Sequence, residues 1–138
     1  MIFVYGTLQN SQVYELVTKA SFDDDFISQA TLENYKCVYV KDEEFPGLIK
    51  DKDSSVDGVL LNPSEQTIKL LSVYEGEEYD LITVEVQALE KKESAQTFVY
   101  KDLTLLTQNL WDYKEWIQKI DLSAYLKRVE NLLLTGDW

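Results

Sequence analysis

The sequence predicts an α+β fold, a small mixed or antiparallel sheet or barrel of about six strands flanked by helices. Three observations predict it. Six segments have strand composition or alternation, three or four have helical spacing, and the two kinds do not alternate strictly along the chain. Strict alternation would have pointed to a doubly wound parallel sheet instead. No repeat or Pro/Gly/Ser-rich linker interrupts the 138 residues, so one domain is expected over 1–138, helical in its C-terminal part from about residue 105.

In chain order, Ile2-Phe3-Val4-Tyr5 is a short apolar strand ending at Gly6. Ser11 can cap a helix whose apolar positions Val13, Leu16, Val17 and Ala20 follow helical spacing. Further strands are expected at residues 31–40, 47–50, 56–61, 81–89 and 97–101. The clearest alternation sets Ile82, Val84, Val86 and Ala88 on one face against Thr83, Glu85 and Gln87 on the other. Asn62-Pro63-Ser64-Glu65 is a helix start, with Asn62 as cap, Pro63 in the first turn and Glu65 at the capping-box position. That helix should reach Tyr74 or Glu75 and stop at Gly76. Two further helical patterns follow, Leu110/Tyr113/Ile117/Ile120 and Leu122/Leu126/Val129/Leu133, the second closed by Gly136.

Glu75 does not fit its surroundings. At about 100° per residue, Ile68, Leu70, Leu71 and Tyr74 share one half of the 64–75 helix, and Glu75 falls with them. Glu65, Gln66, Lys69 and Ser72 take the other half. Burial and the negative end of the helix dipole both disfavour the ionised carboxylate, which suits a general acid/base near neutral pH. The competing expectation is a frayed helix end with the side chain in solvent. Glu77 and Glu78 lie past Gly76 and read as a solvated acidic turn, as does Asp23-Asp24-Asp25.

The second constellation is Tyr5-Gly6-Thr7-Leu8, between the first strand and first helix. A glycine there frees successive backbone N–H groups to converge on a carboxylate or a developing oxyanion, although an ordinary strand-to-helix turn has the same sequence. Arg128 is the only arginine and falls on the last helix, so an acidic ligand would rest on backbone donors and hydroxyls.

Composition excludes several classes. With 13 Lys plus Arg against 25 Asp plus Glu, the net charge of −12 repels a phosphate backbone, so nucleic acid is not an expected partner. The absence of histidine removes Ser-His-Asp and Cys-His catalysis and His-ligated zinc. No metal, nucleotide or flavin motif is present, and no cofactor is expected. Cys37 has no partner for a disulfide and reads as a small buried hydrophobe in a reducing compartment. With no leader-like N-terminus and no apolar run approaching the ~20 residues of a membrane span, a cytoplasmic location is expected.

Together these segments resemble the gamma-glutamylcyclotransferase-like family, which includes the plant avirulence-induced-gene-like proteins. The resemblance lies in Phe3-Val4-Tyr5-Gly6-Thr7-Leu8, Phe45-Pro46-Gly47-Leu48-Ile49, Val56-Asp57-Gly58-Val59-Leu60-Leu61, Leu71-Ser72-Val73-Tyr74-Glu75-Gly76 with Tyr79, and the late strand over residues 95–100. Ser72 departs from the family's usual Asp, and Asp80-Leu81 from its x-Arg. The resemblance implies a small β-barrel with a cavity between the residue 5–8 turn and a catalytic glutamate, here Glu75. It implies cofactor-free cleavage of a small γ-glutamyl amide by its own α-amino group, releasing 5-oxoproline and an amine or amino acid. Gly6, Thr7 and Leu8 would hold the glutamyl group, and Tyr5 and Tyr79 would line the pocket. An alternative is a non-catalytic binding or interaction module that keeps the fold, for which the C-terminal aromatics Trp111, Tyr113, Trp116 and Tyr125 would be the surface.

Overall fold

Five strands close on one another because the first residues of the chain are inserted between two strands that come much later. The computed structural model describes residues 1–136; Asp137 and Trp138, the end of the expected domain, lie outside them. Strand β1 (Ile2–Val4) pairs antiparallel with β3 (Pro46–Leu61) on one side and parallel with β5 (Lys91–Tyr100) on the other. β5 pairs with β4 (Tyr79–Ala88), β4 with β2 (Phe26–Val40), and β2 returns to β3, closing the barrel. β6 (Leu106–Leu110) extends the sheet from β2.

β1 can occupy this position because Ile2, Phe3 and Val4 are all buried, so no residue of it has to face water. Its approach to β3 requires Gly58: a Cβ there would stand 2.4 Å from the Val4 carbonyl oxygen. Around the barrel, α1 (Ser11–Thr18) packs against α3 (Glu65–Glu75) and α5 (Leu122–Thr135). Tyr14, Leu60, Leu71 and Val129 fill the layer between barrel and helices. Two shorter helices, α2 (Phe22–Asp25) and α4 (Tyr113–Lys119), complete the set.

Several local expectations are corrected. The segments 47–50 and 56–61 are one strand, since the β2–β3 register shifts between Glu33/Ser55 and Tyr35/Lys50 and leaves residues 51–54 as a bulge. Asn34 and Asp53 take φ of 67° and 73° there, a region that short polar side chains tolerate. β2 starts at Phe26 rather than residue 31, and β5 at Lys91 rather than 97, because hairpin pairing extends strands past their apolar segments. Leu110 ends β6 instead of opening a helix; α4 begins after Asp112, whose carboxylate accepts from Glu115 N at 3.2 Å.

The expected caps also move. Asn10, not Ser11, caps α1, accepting from Gln12 N at 3.0 Å and Val13 N at 3.1 Å. Ser64, not Asn62, caps α3: its hydroxyl accepts from Thr67 N at 3.2 Å, while the Asn62 N–H is held by the Asp25 carbonyl at 2.8 Å. Glu65 therefore starts the helix and is not a capping-box residue. Asp23-Asp24-Asp25 belongs to the single helical turn of α2, capped by Ser21. The expected alternation in β4 is present, with Thr83, Glu85 and Gln87 exposed and Val86 and Ala88 buried. No helix among the described residues is long and apolar enough to cross a membrane.

Candidate active site

The chain leaves β1 through Tyr5 and Gly6 into one turn of 3₁₀ helix, Thr7–Gln9. The carbonyls of Gly6 and Thr7 accept from Gln9 N (3.2 Å) and Asn10 N (3.1 Å), and the Gln9 side-chain Nε2 donates to Tyr5 O at 2.7 Å. The turn's carbonyls are thus tied down, while its leading N–H groups have no acceptor within the turn. Gly6 has φ of −110°, outside the left-handed region. Space is what it supplies, since a Cβ would lie 3.2 Å from Pro46 Cγ.

Helix α3 delivers the acid. Its buried line runs through Thr67, Leu71 and Tyr74, with Ile68 and Glu75 half-buried beside it. The helix ends at Glu75 because Gly76 takes φ of 86°, and the next turn leads into β4. Glu75 therefore does not fray outward; it forms part of the wall of a cavity of about 630 Å³, together with Tyr5, Gly6, Thr7, Leu8 and Tyr79. All six residues singled out in the sequence border this one space. Burial pushes the Glu75 carboxyl up from 4.5 to about 8.

Hydroxyls fix the walls. Thr7 Oγ1 lies 2.7 Å from the Tyr74 hydroxyl, which lies 2.5 Å from that of Tyr125 on α5. The Tyr5 hydroxyl donates to the Phe98 carbonyl at 2.6 Å and that of Tyr79 to the Pro46 carbonyl at 2.6 Å. Burial first, and then the nearby Glu75 charge, raise the pKa of both Tyr5 and Tyr79. Both phenols stay protonated and serve as fixed walls rather than bases. Cys37 is buried, and burial pushes its thiol up to about 12, which leaves it inert as expected.

One residue in this cavity contradicts the sequence reading. Arg128, expected to be remote, reaches the cavity from α5. Its guanidinium sits 5.3 Å from the Tyr125 ring centroid, and its Nη2 is 3.3 Å from Glu44 Oε2. It is the only basic side chain among the described lining residues, facing a rim of Asp42, Glu43, Glu44, Glu77 and Glu78. Glu77 and Glu78 are exposed as expected, yet they shape the entrance, with Glu78 accepting from the Tyr100 hydroxyl at 2.9 Å. No local signal joins residues 75 and 128; only the helical period of α5, which puts Tyr125 and Arg128 three residues apart on one face, hinted that they act together.

The aromatics of the C-terminal part are core. Trp111, Trp116 and Tyr125 are buried, the Trp111 indole N–H donates to Glu44 O at 2.8 Å, and Trp116 meets the Tyr125 ring edge-on at 5.2 Å. These three side chains are buried rather than displayed as a surface, and Trp116 and Tyr125 also line the cavity.

A closed small barrel thus carries a half-buried carboxyl group at a helix end, beside a main-chain turn, in the wall of a cavity whose mouth is polar and mostly anionic. The chain belongs to the family described as gamma-glutamyl cyclotransferase, AIG2-like, whose family model matches residues 2–118. It is 34% identical over 124 residues to AIG2-like protein C of Arabidopsis thaliana, spanning 85% of this chain and 69% of that protein. It is 23% identical over 136 residues to AIG2-like protein B of the same plant, spanning 96% and 77%. Among solved structures, a solution structure from Arabidopsis thaliana superposes with a TM-score of 0.67 at 22% identity, covering 96% of this chain and 80% of that one. A structure titled gamma-glutamyl cyclotransferase superposes with a TM-score of 0.66 at 16% identity, covering 94% and 85%. At those identities the structural likeness speaks for the fold alone.

Proposed function

We propose that the protein is a cofactor-free γ-glutamyl cyclotransferase acting on a small γ-glutamyl amide, with Glu75 as its general acid/base. The observation that carries this reading is a carboxyl group raised to about 8 by burial, in the wall of the cavity that the turn after β1 also lines. A group that titrates near neutral pH can both accept and return a proton, which such chemistry requires.

In the reaction, the substrate's α-amino nitrogen attacks its own γ-carbonyl carbon. A C–N bond closes the five-membered ring and the carbonyl becomes an oxyanion. Glu75 takes a proton from the attacking nitrogen and passes it to the amide nitrogen as the old C–N bond breaks. The products are 5-oxoproline and a free amine or amino acid, and no water is consumed. N–H groups of Gly6, Thr7 and Leu8 are the donors for the glutamyl group or the oxyanion, where such stabilisation acts strongly. Tyr5 and Tyr79 confine the glutamyl chain so that nitrogen and carbon are held close.

The test is release of 5-oxoproline from a panel of γ-glutamyl amines and γ-glutamyl amino acids. The native chain should release it, and Glu75→Gln, nearly the same shape without a titratable proton, should lower the rate by on the order of 10²–10⁴. Full activity in Glu75→Gln would remove Glu75 from the role, and no release from any substrate would end the reading.

A further inference from the structure

We infer that Arg128 is the residue that binds a substrate carboxylate in this cavity, supplied from a helix beyond the part of the chain that matches the family model. The inference rests on the γ-glutamyl reading above. Helix α5 lies after residue 118, where that match ends.

The argument is one of charge and placement. A γ-glutamyl compound carries an α-carboxylate, and here it must pass a rim of five acids into a protein of net charge −12. Backbone donors can accept such a group, but they do not cancel the repulsion from the surrounding carboxylates. Among the described lining residues, the Arg128 guanidinium is the one group that does. Its planar fork of donors matches a carboxylate with two parallel bonds.

Arg128 is also held ready. Its guanidinium carbon lies over the Tyr125 ring, 5.3 Å from the centroid, a cation–π contact, and Tyr125 is itself anchored through its hydroxyl to Tyr74, the neighbour of Glu75. The present partner, Glu44, is 3.3 Å away, and the two side chains are 53% and 66% exposed. A pair that open to water is weak, so a substrate carboxylate can take the place of Glu44 at little cost.

The experiment compares the native chain with Arg128→Gln and Arg128→Lys on three amides: γ-glutamylethylamide, a γ-glutamyl amino acid, and 4-aminobutanoylethylamide. The last can still cyclise but has no α-carboxylate. Arg128→Gln should raise KM for γ-glutamylethylamide by about 10- to 100-fold with kcat little changed, and Arg128→Lys should do so less. The carboxylate-free amide should behave alike in all three proteins. A rise confined to the γ-glutamyl amino acid would place Arg128 on the leaving group's carboxylate, and the inference would stand with that source. Equal losses on the carboxylate-free amide would mark a structural role, and unchanged KM on all three would remove Arg128 from binding; either overturns the inference. Calorimetric titration of γ-glutamylethylamide and of the γ-glutamyl amino acid into Glu75→Gln, with and without Arg128→Gln, keeps the two readings apart. Carboxylate binding that depends on Arg128, in a native chain that releases no 5-oxoproline, would sink the catalytic reading alone. Binding of both amides that ignores Arg128, in an active enzyme, would sink this inference alone.

Discussion

The Thr7 side chain and the Tyr74 hydroxyl are 2.7 Å apart, which ties the turn after the first strand to the residue just before Glu75. The turn after β1 and the end of α3, which carry two sides of the cavity, are therefore joined directly by this bond. Tyr125 continues the tie to α5 and so to Arg128.

Cutting that tie should loosen the site before it unfolds the protein. Tyr74→Phe removes the hydroxyl shared with Thr7 and Tyr125, all three of them buried side chains. The expected cost is about 1–3 kcal/mol in urea unfolding, from two buried hydroxyls losing a partner. Turnover should fall while the Glu75 carboxyl keeps its raised pKa, because burial by the remaining wall is what raises it.

The pH dependence of stability follows from Glu75. Below about 4.5 its carboxyl is protonated in both folded and unfolded chains, so its burial costs nothing in ionisation. Between 4.5 and about 8 the unfolded chain loses this proton while the folded chain keeps it, so folding weakens as pH rises. Above about 8 the full cost is present, on the order of 5 kcal/mol from a shift of this size. Glu75→Gln should lack this dependence and grow more stable relative to the native chain across the same window. Parallel stability curves for the two proteins would contradict the buried-acid assignment.

Activity should move the other way. Glu75 must be ionised to accept a proton, so kcat/KM should climb with pH to a midpoint near 8, after correction for the substrate's own amine. Substitution of exposed Glu77 by Gln should leave that midpoint in place.

Closure of the barrel depends on Gly58. In Gly58→Ala the added methyl meets Val4 O and the Phe3 ring, and the first of these is backbone that cannot swing aside. A loss of about 1–3 kcal/mol or more is expected by thermal unfolding. Activity should fall with it, because β1 aims the Tyr5–Leu8 turn.

Much of this molecule was legible in its residues. The apolar run of Ile2 to Tyr5, the alternation from Ile82 to Ala88, and Gly76 and Gly136 as helix stops are local signals, and each appears where the spacing put it. Glu75 was legible for the same reason, since helical period alone sets it beside Leu71 and Tyr74. The caps at Asn10 and Ser64 lie one and two residues from the expected positions, because neighbouring polar side chains can reach the same first-turn N–H groups and spacing alone does not say which one does. β6 carries no such local signal, because what makes it a strand is its pairing with distant β2, Leu106 opposite Val40 and Leu110 opposite Val38.

The chain by itself determined the class of elements and the odd acid among apolar neighbours, for these depend on the few residues within a turn or a pleat. Folding in three dimensions decided that β1 enters between β3 and β5 and that β4 reaches β2, that one threonine reaches one tyrosine across the cavity, and that the lone arginine meets the acid's chamber. Those outcomes come from contacts between residues far apart along the chain, whose cost in chain entropy is met only when the whole barrel and its helices pack at once.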